Sequence, residues 1–530
     1  MNAQDYVIFA SLLHDLDKFF TKAHCKQQLA ILKPLLSDQE QPLEPLIQAA
    51  YSFARTEHAD SNDTHRLESL LSKVTLSNHQ PKDRYFLPLS ALDLTAETIF
   101  PKKNTSEVSS ADYENLANAL LNDLKAIPND EVQNPAALRA RVRTLLALLE
   151  KYLSQVPADS DISLFDLQRI SSAIAEGLYH YHADNLATAD FKDQQTAKWR
   201  LVCGDFSGIQ NFIYKITSKG AAKGLRGRSF FIQLLCDAAA EQLIRTLGLY
   251  ATARLYSSGG KFYLLIAANK LDALGREVDN INQALLQQFR GEMCLSIGTA
   301  NINANDFKEG NMSKRWQEVN EDLLRNRQQA FKSQVADDIS CFMPEDLHSA
   351  GACQVCDRDD AHAGIQQETD NDGSTFRICH SCKELREIGR VLADSQYLFW
   401  VWGKDRDFVK TNIKTSLRTI KLCGTDCTVY FLENSPKFRQ HGQLYDCHLE
   451  SLNTLNLPNN HQQGYSTGFR FVGKWDRDKP SGDFDFEEFA KHGEGIERMG
   501  ILRMDVDNLG EIFIRGLKVK QNSMGSLSRV

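Results

Sequence analysis

Two cysteine pairs constrain this chain more than any other feature. Cys353 and Cys356 form one CxxC in "CQVCDRDD", and Cys379 and Cys382 form another in "FRICHSCKEL", with 22 residues between the pairs. Each CxxC turn sets two sulfurs on one side of a knuckle, and two knuckles complete a tetrahedral thiolate site for structural zinc. Four unligated thiols at this spacing are the alternative. Four protein ligands leave no open position for water, so such a site governs folding and not reaction. His380, inside the second knuckle, is a further candidate ligand. The start "MNAQDYVIFASLLHDLDKFF" lacks the basic beginning and small-residue cleavage site of a secretory signal. The twelve cysteines therefore read as reduced thiols in the cytoplasm plus one metal site. No apolar run reaches membrane-spanning length, so no membrane partner is expected.

A chain of 530 residues, 42% hydrophobic and 25% charged, is expected to form several domains with ordinary cores. A net charge of −8 does not suit a naked nucleic-acid binder, and any polyanion contact must come from local basic patches. Up to about residue 195 the pattern is helical, as in "LIQAAYSFARTEH" and "ALRARVRTLLALLEKYLSQV", with apolar residues three and four apart. Breaks near 81–105 and 127–136 mark loops, the first suggesting a boundary near residue 100. "WRLVCGDFSGIQNFIYKI" then reads as strand and helix, and "FFIQLLCDAAAEQLIRTLGL" as a long amphipathic helix. "ARLYSSGGKFYLLIA" reads as a hairpin turning at Gly259–Gly260. This is α+β or α/β with hairpins. Strands "CTVYFLE" and "GFRFVGKW" follow the cysteine segment.

Several motifs carry possible chemistry. In "LLHDLDKFF", His14–Asp15 on an apolar helix would let imidazole and carboxylate face one divalent metal that activates water against a phosphodiester. A buried histidine bonded to a neighbour produces the same dipeptide. Further ligand candidates are His24, His58, Asp60 and His65, with His58 and Asp60 in "EHAD" the most suggestive. "KITSKGAAKGLRGRS" gathers Lys215, Lys219, Lys223, Arg226 and Arg228 among glycines, as a phosphate-holding loop or as a solvated basic one. Near the end, "GILRMDVDNLGEIF" places Asp505 and Asp507 on one face of a strand, since strand side chains alternate. They suit magnesium ligands of a polymerase-like palm, or a plain strand-end turn. Setting Asp205 of "LVCGDFSGIQNFI" against Asp505 aligns two apolar strands followed by Asp, an apolar residue, a small polar residue and a turn-former. That pattern suggests a duplicated unit.

In their order along the chain, the motifs resemble the large, polymerase-like subunit of type III CRISPR effector complexes, the III-A (Csm) kind in particular. The resemblance runs from residue 1 to 530, and the block at about 200–265 is the most specific. It implies a multidomain α+β fold: an all-α HD domain, ferredoxin-like palm domains of the nucleotide-cyclase and polymerase type, and a zinc-binding helical insert. The expected divisions are an HD nuclease-like domain at 1–100, a helical connector at 101–195 and a degenerate first palm at 196–335. They continue with a zinc-binding helical domain at 336–400, a mixed segment at 401–490 and the start of a second palm at 491–530. His14 and Asp15 match the HD metal pair and Lys18 its following lysine, while Asp17 stands where the family usually has glycine. Asp60 matches a further metal position, and the four cysteines match the zinc knuckles. Asp205, Ser207, Gly208, Gly259, Gly260 and Lys261 correspond to nucleotide-binding positions of the first palm, and Asp505 to the first carboxylate of the second.

The family's Gly-Gly-Asp-Asp hairpin of the second palm does not occur in the sequence, so a truncated or split chain is expected. What the resemblance implies is target-RNA-activated single-stranded DNA cleavage by the HD domain, using Mn2+, Ni2+ or Co2+. It also implies cyclic oligoadenylate synthesis from ATP with Mg2+, provided the native protein has the missing hairpin. Partners would be other Csm-type subunits, CRISPR RNA and target RNA. The alternative is a non-catalytic scaffold that binds guide RNA, partner subunits and ATP.

Overall fold

A computed structural model describes residues 2–24, 43–55, 66–74, 83–103, 108–125, 127, 134–158, 162–217, 220–308, 311–342, 351–359, 363–369, 373–458, 464–473, 494–496, 498 and 500. The first part is helical: α1 (Ala3–Leu13), α2 (Leu16–Lys22), α3 (Glu44–Ala54), α4 (Ala96–Ile99), α5 (Ser110–Leu124), α6 (Pro135–Leu153) and α7 (Leu164–Tyr181). Local sequence starts these helices. Asn2 and Asp5 form a reciprocal capping box on α1, as Ser109 and Asp112 do on α5, and Pro135 opens α6 behind an Asn134 cap. Ile8, Phe9, Leu12, Leu16 and Phe20 share one core with Leu116, Leu120, Val142, Leu145 and Leu149. Helices on either side of residue 100 therefore pack as one unit.

The second part is a βαββαβ unit. It runs β1 (Trp199–Ser207), α8 (Ile209–Tyr214), α9 (Ala221–Thr246), β2 (Arg254–Ser258), β3 (Lys261–Ala267), α10 (Leu271–Phe289) and β4 (Cys294–Ile302). The strands lie in the order β2-β3-β1-β4, every neighbouring pair antiparallel, which is the ferredoxin-like arrangement. Gly259 and Gly260 both adopt positive φ, 62° and 86°, which suits a two-residue turn between twisted strands. One face of this sheet packs on α9 and α10. The other meets α3, α7 and α11 (Met312–Arg327), with Trp199, Leu201 and Leu265 in that core.

After α12 (Lys332–Asp337) a small hairpin, β5 (Gln366–Thr369) and β6 (Thr375–Ile378), leads into α13 (His380–Asp394). A second sheet follows, built from β7 (Tyr397–Trp402), β8 (Arg418–Leu422), β9 (Cys427–Leu432), β10 (Cys447–Leu452) and β11 (Ser466–Arg470), with α14 (Asp405–Asn412) after β7. Its order is β11-β10-β7-β9-β8, and only β10 and β11 run parallel. Trp400, Trp402, Val429 and Phe431 pack in one core with Phe230, Leu234, Ile388 and Val391, so α9 lies between the two sheets. Among the described residues no helix is long and apolar enough to cross a membrane.

Candidate functional site

The structure moves His14 and Asp15 off the expected helix. α1 ends at Leu13, His14 is extended (φ −59°, ψ 141°), and Asp15 is left-handed (φ 63°) before α2 begins at Leu16. Aspartate is among the few non-glycine residues that tolerate this region. The pair therefore sits in a two-residue break between helices. Asp15 is only 10% exposed; Lys18 Nζ lies 2.8 Å from its Oδ1, and the Tyr51 hydroxyl from α3 donates to its Oδ2. The Tyr51 ring lies 4.2 Å from the His14 ring, and Gln168 of α7 donates to the His14 carbonyl at 3.0 Å. Burial pushes the Asp15 carboxyl up, but His14, Lys18 and Tyr51 together outweigh it and hold the group well below the usual carboxylate range.

His14 Nδ1 is buried with no well-aligned hydrogen bond, its contact with Asp15 Oδ1 being a long 3.4 Å. A poorly partnered imidazole nitrogen beside an ionised carboxylate fits a divalent cation, and Lys18 and Tyr51 are the groups such an ion would have to displace. His58, Asp60 and His65 lie outside the described residues. Asp17 is exposed in the first turn of α2, where a carboxylate suits the helix N-terminus.

The four cysteine sulfurs converge. All four lie within 4.8 Å of one another, the one cluster of metal-ligating side chains found among the described residues. Cys356 Sγ is 3.7 Å from Cys379 Sγ. A tetrahedron with zinc–sulfur bonds of about 2.3 Å has an edge of about 3.8 Å, so the spacing fits zinc. Cys353 Sγ accepts from the Cys379 amide at 3.2 Å, and Cys379 Sγ from the Cys382 amide at 3.4 Å, which caps α13. His380 reaches outward instead, its Nε2 3.6 Å from Glu384.

The basic stretch is corrected most. Residues 221–228 are not a phosphate loop but the first two turns of α9. Its glycines serve a helix crossing. A Cβ on Gly227 would stand 1.8 Å from the Leu385 carbonyl, and one on Gly389 1.8 Å from the Lys223 carbonyl, so only glycines let α9 and α13 approach this closely. Arg226 donates to the Gly389 carbonyl at 3.1 Å. Arg228, expected to touch nucleic acid or phosphate, is 3% exposed; it donates to the Phe212 carbonyl at 2.8 Å and to Cys382 Sγ at 3.0 Å. Its partner is a cysteine sulfur. Lys215 pairs with Glu292 and Lys223 is half-buried at the crossing, while Lys219 lies outside the described residues.

Among the positions expected to bind nucleotide, Asp205, Lys261 and the Gly259–Gly260 turn share one corner. Asp205 lies opposite Lys261 in the β1–β3 register, and Arg327 from the end of α11 forms an ion pair with its carboxylate. Burial pushes the Asp205 carboxyl up, partly offset by Lys261 and Arg327. Ser207 and Gly208 face the other neighbour. Ser207 Oγ donates to the Cys294 carbonyl at 3.2 Å, and a Cβ on Gly208 would meet the Glu292 carbonyl at 1.8 Å. Sequence reasoning missed Arg327, Tyr51 and Gln168, which come from elements far along the chain. Asp505 and Asp507 lie outside the described residues.

Comparison with known proteins agrees with this architecture. Residues 198–344 match the family model for Csm1 subunit domain B. The chain is similar to the CRISPR system single-strand-specific deoxyribonuclease Cas10/Csm1 (subtype III-A) of Methanocaldococcus jannaschii, 26% identical over 67% of this chain and 48% of that protein. It is also similar to the protein of the same name from Thermococcus onnurineus, 24% identical over 95% of this chain and 62% of the relative. The chain thus spans about half the length of the first of these relatives. In fold, the chain is similar to a chain of a Csm1–Csm4 subcomplex of the type III-A CRISPR-Csm interference complex, with a TM-score of 0.68, 19% identity, and 100% of this chain and 68% of that chain covered. A Csm1–Csm4 cassette solved with one ATP matches equally well, at 0.68 and 20%.

Proposed function

We propose that this chain, which resembles the large subunit of type III-A (Csm) CRISPR effector complexes, serves an RNA-guided antiviral complex as a metal-dependent nuclease for single-stranded DNA. The observation that carries the reading is the His14–Asp15 break, where a buried imidazole nitrogen with no well-aligned hydrogen bond stands beside a carboxylate held ionised. His14 and Asp15 would hold a divalent transition metal such as Mn2+, Ni2+ or Co2+, with His58 and Asp60 as further ligands. When bound, such an ion supplies a water of lowered pKa and polarises the phosphodiester. Lys18 and Tyr51 fix the Asp15 carboxylate, and Gln168 anchors the turn through the His14 carbonyl.

Asp15→Ala is expected to lower DNA cleavage by the assembled complex by about 100-fold or more, leaving assembly and zinc content unchanged. Cleavage at the unaltered rate would sink the assignment. The relatives' partners suggest a Csm4-like neighbour, with CRISPR RNA and target RNA in the same complex. Asp205 and Lys261, at the Gly259–Gly260 turn, are the proposed contacts for ATP on the first palm, with Ser207 and Gly208 beside them. Cyclic oligoadenylate synthesis would need Mg2+ on Asp505 and Asp507 together with carboxylates from a Gly-Gly-Asp-Asp hairpin in the native protein.

One observation favours the scaffold reading. Lys18 and Tyr51 engage both Asp15 oxygens, which would leave the break as a structural joint. Metal content separates the two: zinc alone supports a scaffold, and zinc plus a second, labile divalent ion supports the nuclease.

A further inference from the structure

We propose that the groove between α14 and the β8 edge of the second sheet binds the phosphate backbone of single-stranded nucleic acid. One face of that sheet is closed by α9 and α13. The other is closed over its centre by Val409 of α14 with Phe399, Leu449 and Tyr465. The cover stops short of β8, the edge strand, and leaves a cavity of about 1070 Å³.

Strand alternation sets what this cavity contains. Ile420, Leu422 and Val429 point to the opposite face and join its core. Thr419 stands opposite Tyr430 and Lys421 opposite Thr428, so the floor carries hydroxyls and a cation. Arg406 and Lys410, one turn apart on α14, form a wall that the Lys414–Ser416 segment extends. Arg406 is paired with Asp426 at 2.5 Å. Lys410, Lys414 and Lys421 are exposed, and no ion pair engages them among the described residues. The carboxylates in the lining are Asp407 and Glu433, against four cations. That excess stands on a chain whose net charge is −8.

The chemistry fits a sugar–phosphate chain. Lysines among threonine, serine and asparagine donors make up the usual contact set for phosphate and sugar oxygens. Apolar lining is limited to Ile413 and Leu417, which offers little for the buried anchors of a protein partner. The Tyr430 ring is 4% exposed, so no aromatic platform is available for stacking bases, and contact is with the backbone whatever the sequence. A concave groove admits a single strand more readily than the convex surface of a duplex.

The test measures binding of a fluorescein-labelled 20-nucleotide oligouridine to the full chain by anisotropy across a salt series. The Lys410→Glu/Lys414→Glu/Lys421→Glu variant is expected to bind at least tenfold more weakly. Its dependence of log affinity on log salt should be shallower by about 2, since three single-strand contacts contribute about 0.7 each. Unchanged affinity and slope would overturn the proposal. So would displacement of the RNA by polyglutamate of equal length at equal concentration, which would point to an acidic protein partner instead. Zinc content and melting check folding, and should the triple variant fail them, Lys421→Gln alone must still reduce the slope by about 0.7. The Asp15→Ala chain is expected to bind RNA normally, so failure of the nuclease assignment would leave this inference standing.

Discussion

Removing zinc from the four-cysteine centre, by chelation or by Cys379→Ser, is expected to unfold the two cysteine knuckles and the β5–β6 hairpin and to loosen the starts of α13 and α9. The core around the sulfurs consists of Cys353, Ala363, Ile378, Cys379 and Cys382, with four partly buried neighbours. A cluster of this size cannot stand without a cross-link or metal. Structural zinc contributes about 10–16 kcal/mol in small zinc-binding peptides, far more than such a core supplies. Cys379 is also the cap of α13, so losing the centre frees that helix at its first turn. The effect then reaches the ferredoxin-like unit along two routes, the Gly227–Gly389 crossing and the Arg228 bond to Cys382.

Hydrogen exchange on the zinc-free chain should therefore rise in the cysteine knuckles, the β5–β6 hairpin and the first turns of α13 and α9, with β1 and β3 unaffected. Protection of α9 identical to that of the zinc-loaded chain would show that the centre is not coupled to the sheet. Arg228→Met should speed zinc release to a chelator by about tenfold, because partners of metal ligands tune affinity on that scale. Arg228→Lys, which keeps the charge but loses the fork that spans Phe212 and Cys382, should restore only part of it.

What could be read from the sequence was what is decided locally. The helical spacing before residue 195, the Gly259–Gly260 turn and the two CxxC pairs each depend on a few adjacent residues, and the fold contains all three. The basic segment failed because a glycine's meaning was set elsewhere. Gly227 looks like a loop former until Gly389, some 160 residues on, lies against it. Arg228 reads as an anion-binding residue, but its partner is a sulfur brought in by α13. His14 and Asp15 read as helical because their neighbours are apolar at helical spacing, whereas the left-handed Asp15 ends the helix between them. The charges that join α9 to the second sheet left no pattern at all, since each belongs to a different segment.

Those charges yield the second large expected effect. Arg470 of β11 is 13% exposed and makes two bonds to Glu450 of β10, at 2.8 and 3.0 Å, and one to Asp237 of α9 at 2.7 Å. Glu450 also accepts from Trp400 Nε1 at 2.8 Å, and His448 Nε2 lies 3.7 Å from it. Arg470→Met would leave the buried Glu450 carboxylate without its cation and Asp237 with only the more distant Arg254, a loss of about 3–5 kcal/mol, to be read from urea unfolding followed by the fluorescence of the stacked Trp400 and Trp402. A loss below about 1 kcal/mol would mean that water or a rearranged neighbour replaces the guanidinium.

The pH dependence gives the sign. Burial pushes the Glu450 carboxyl up, but the charge of Arg470 outweighs it and holds the group well below its ordinary 4.5. Stability from a depressed carboxyl is present above its unfolded value and lost as pH falls through the folded one, so the intact chain should weaken with acid below about pH 4.5. In Arg470→Met burial is opposed only by the weaker Trp400 and His448 contacts, and a carboxyl raised by burial costs most when ionised. The variant's deficit should then be largest near pH 7 and shrink as Glu450 takes up a proton. Burial holds His448 below its ordinary 6.5, so it is neutral at pH 7 and cannot replace the arginine there. A deficit that stayed constant from pH 7 to pH 4 would mean that Arg470 acts through packing against Trp400, over which it stands at 5.5 Å, and not through its charge.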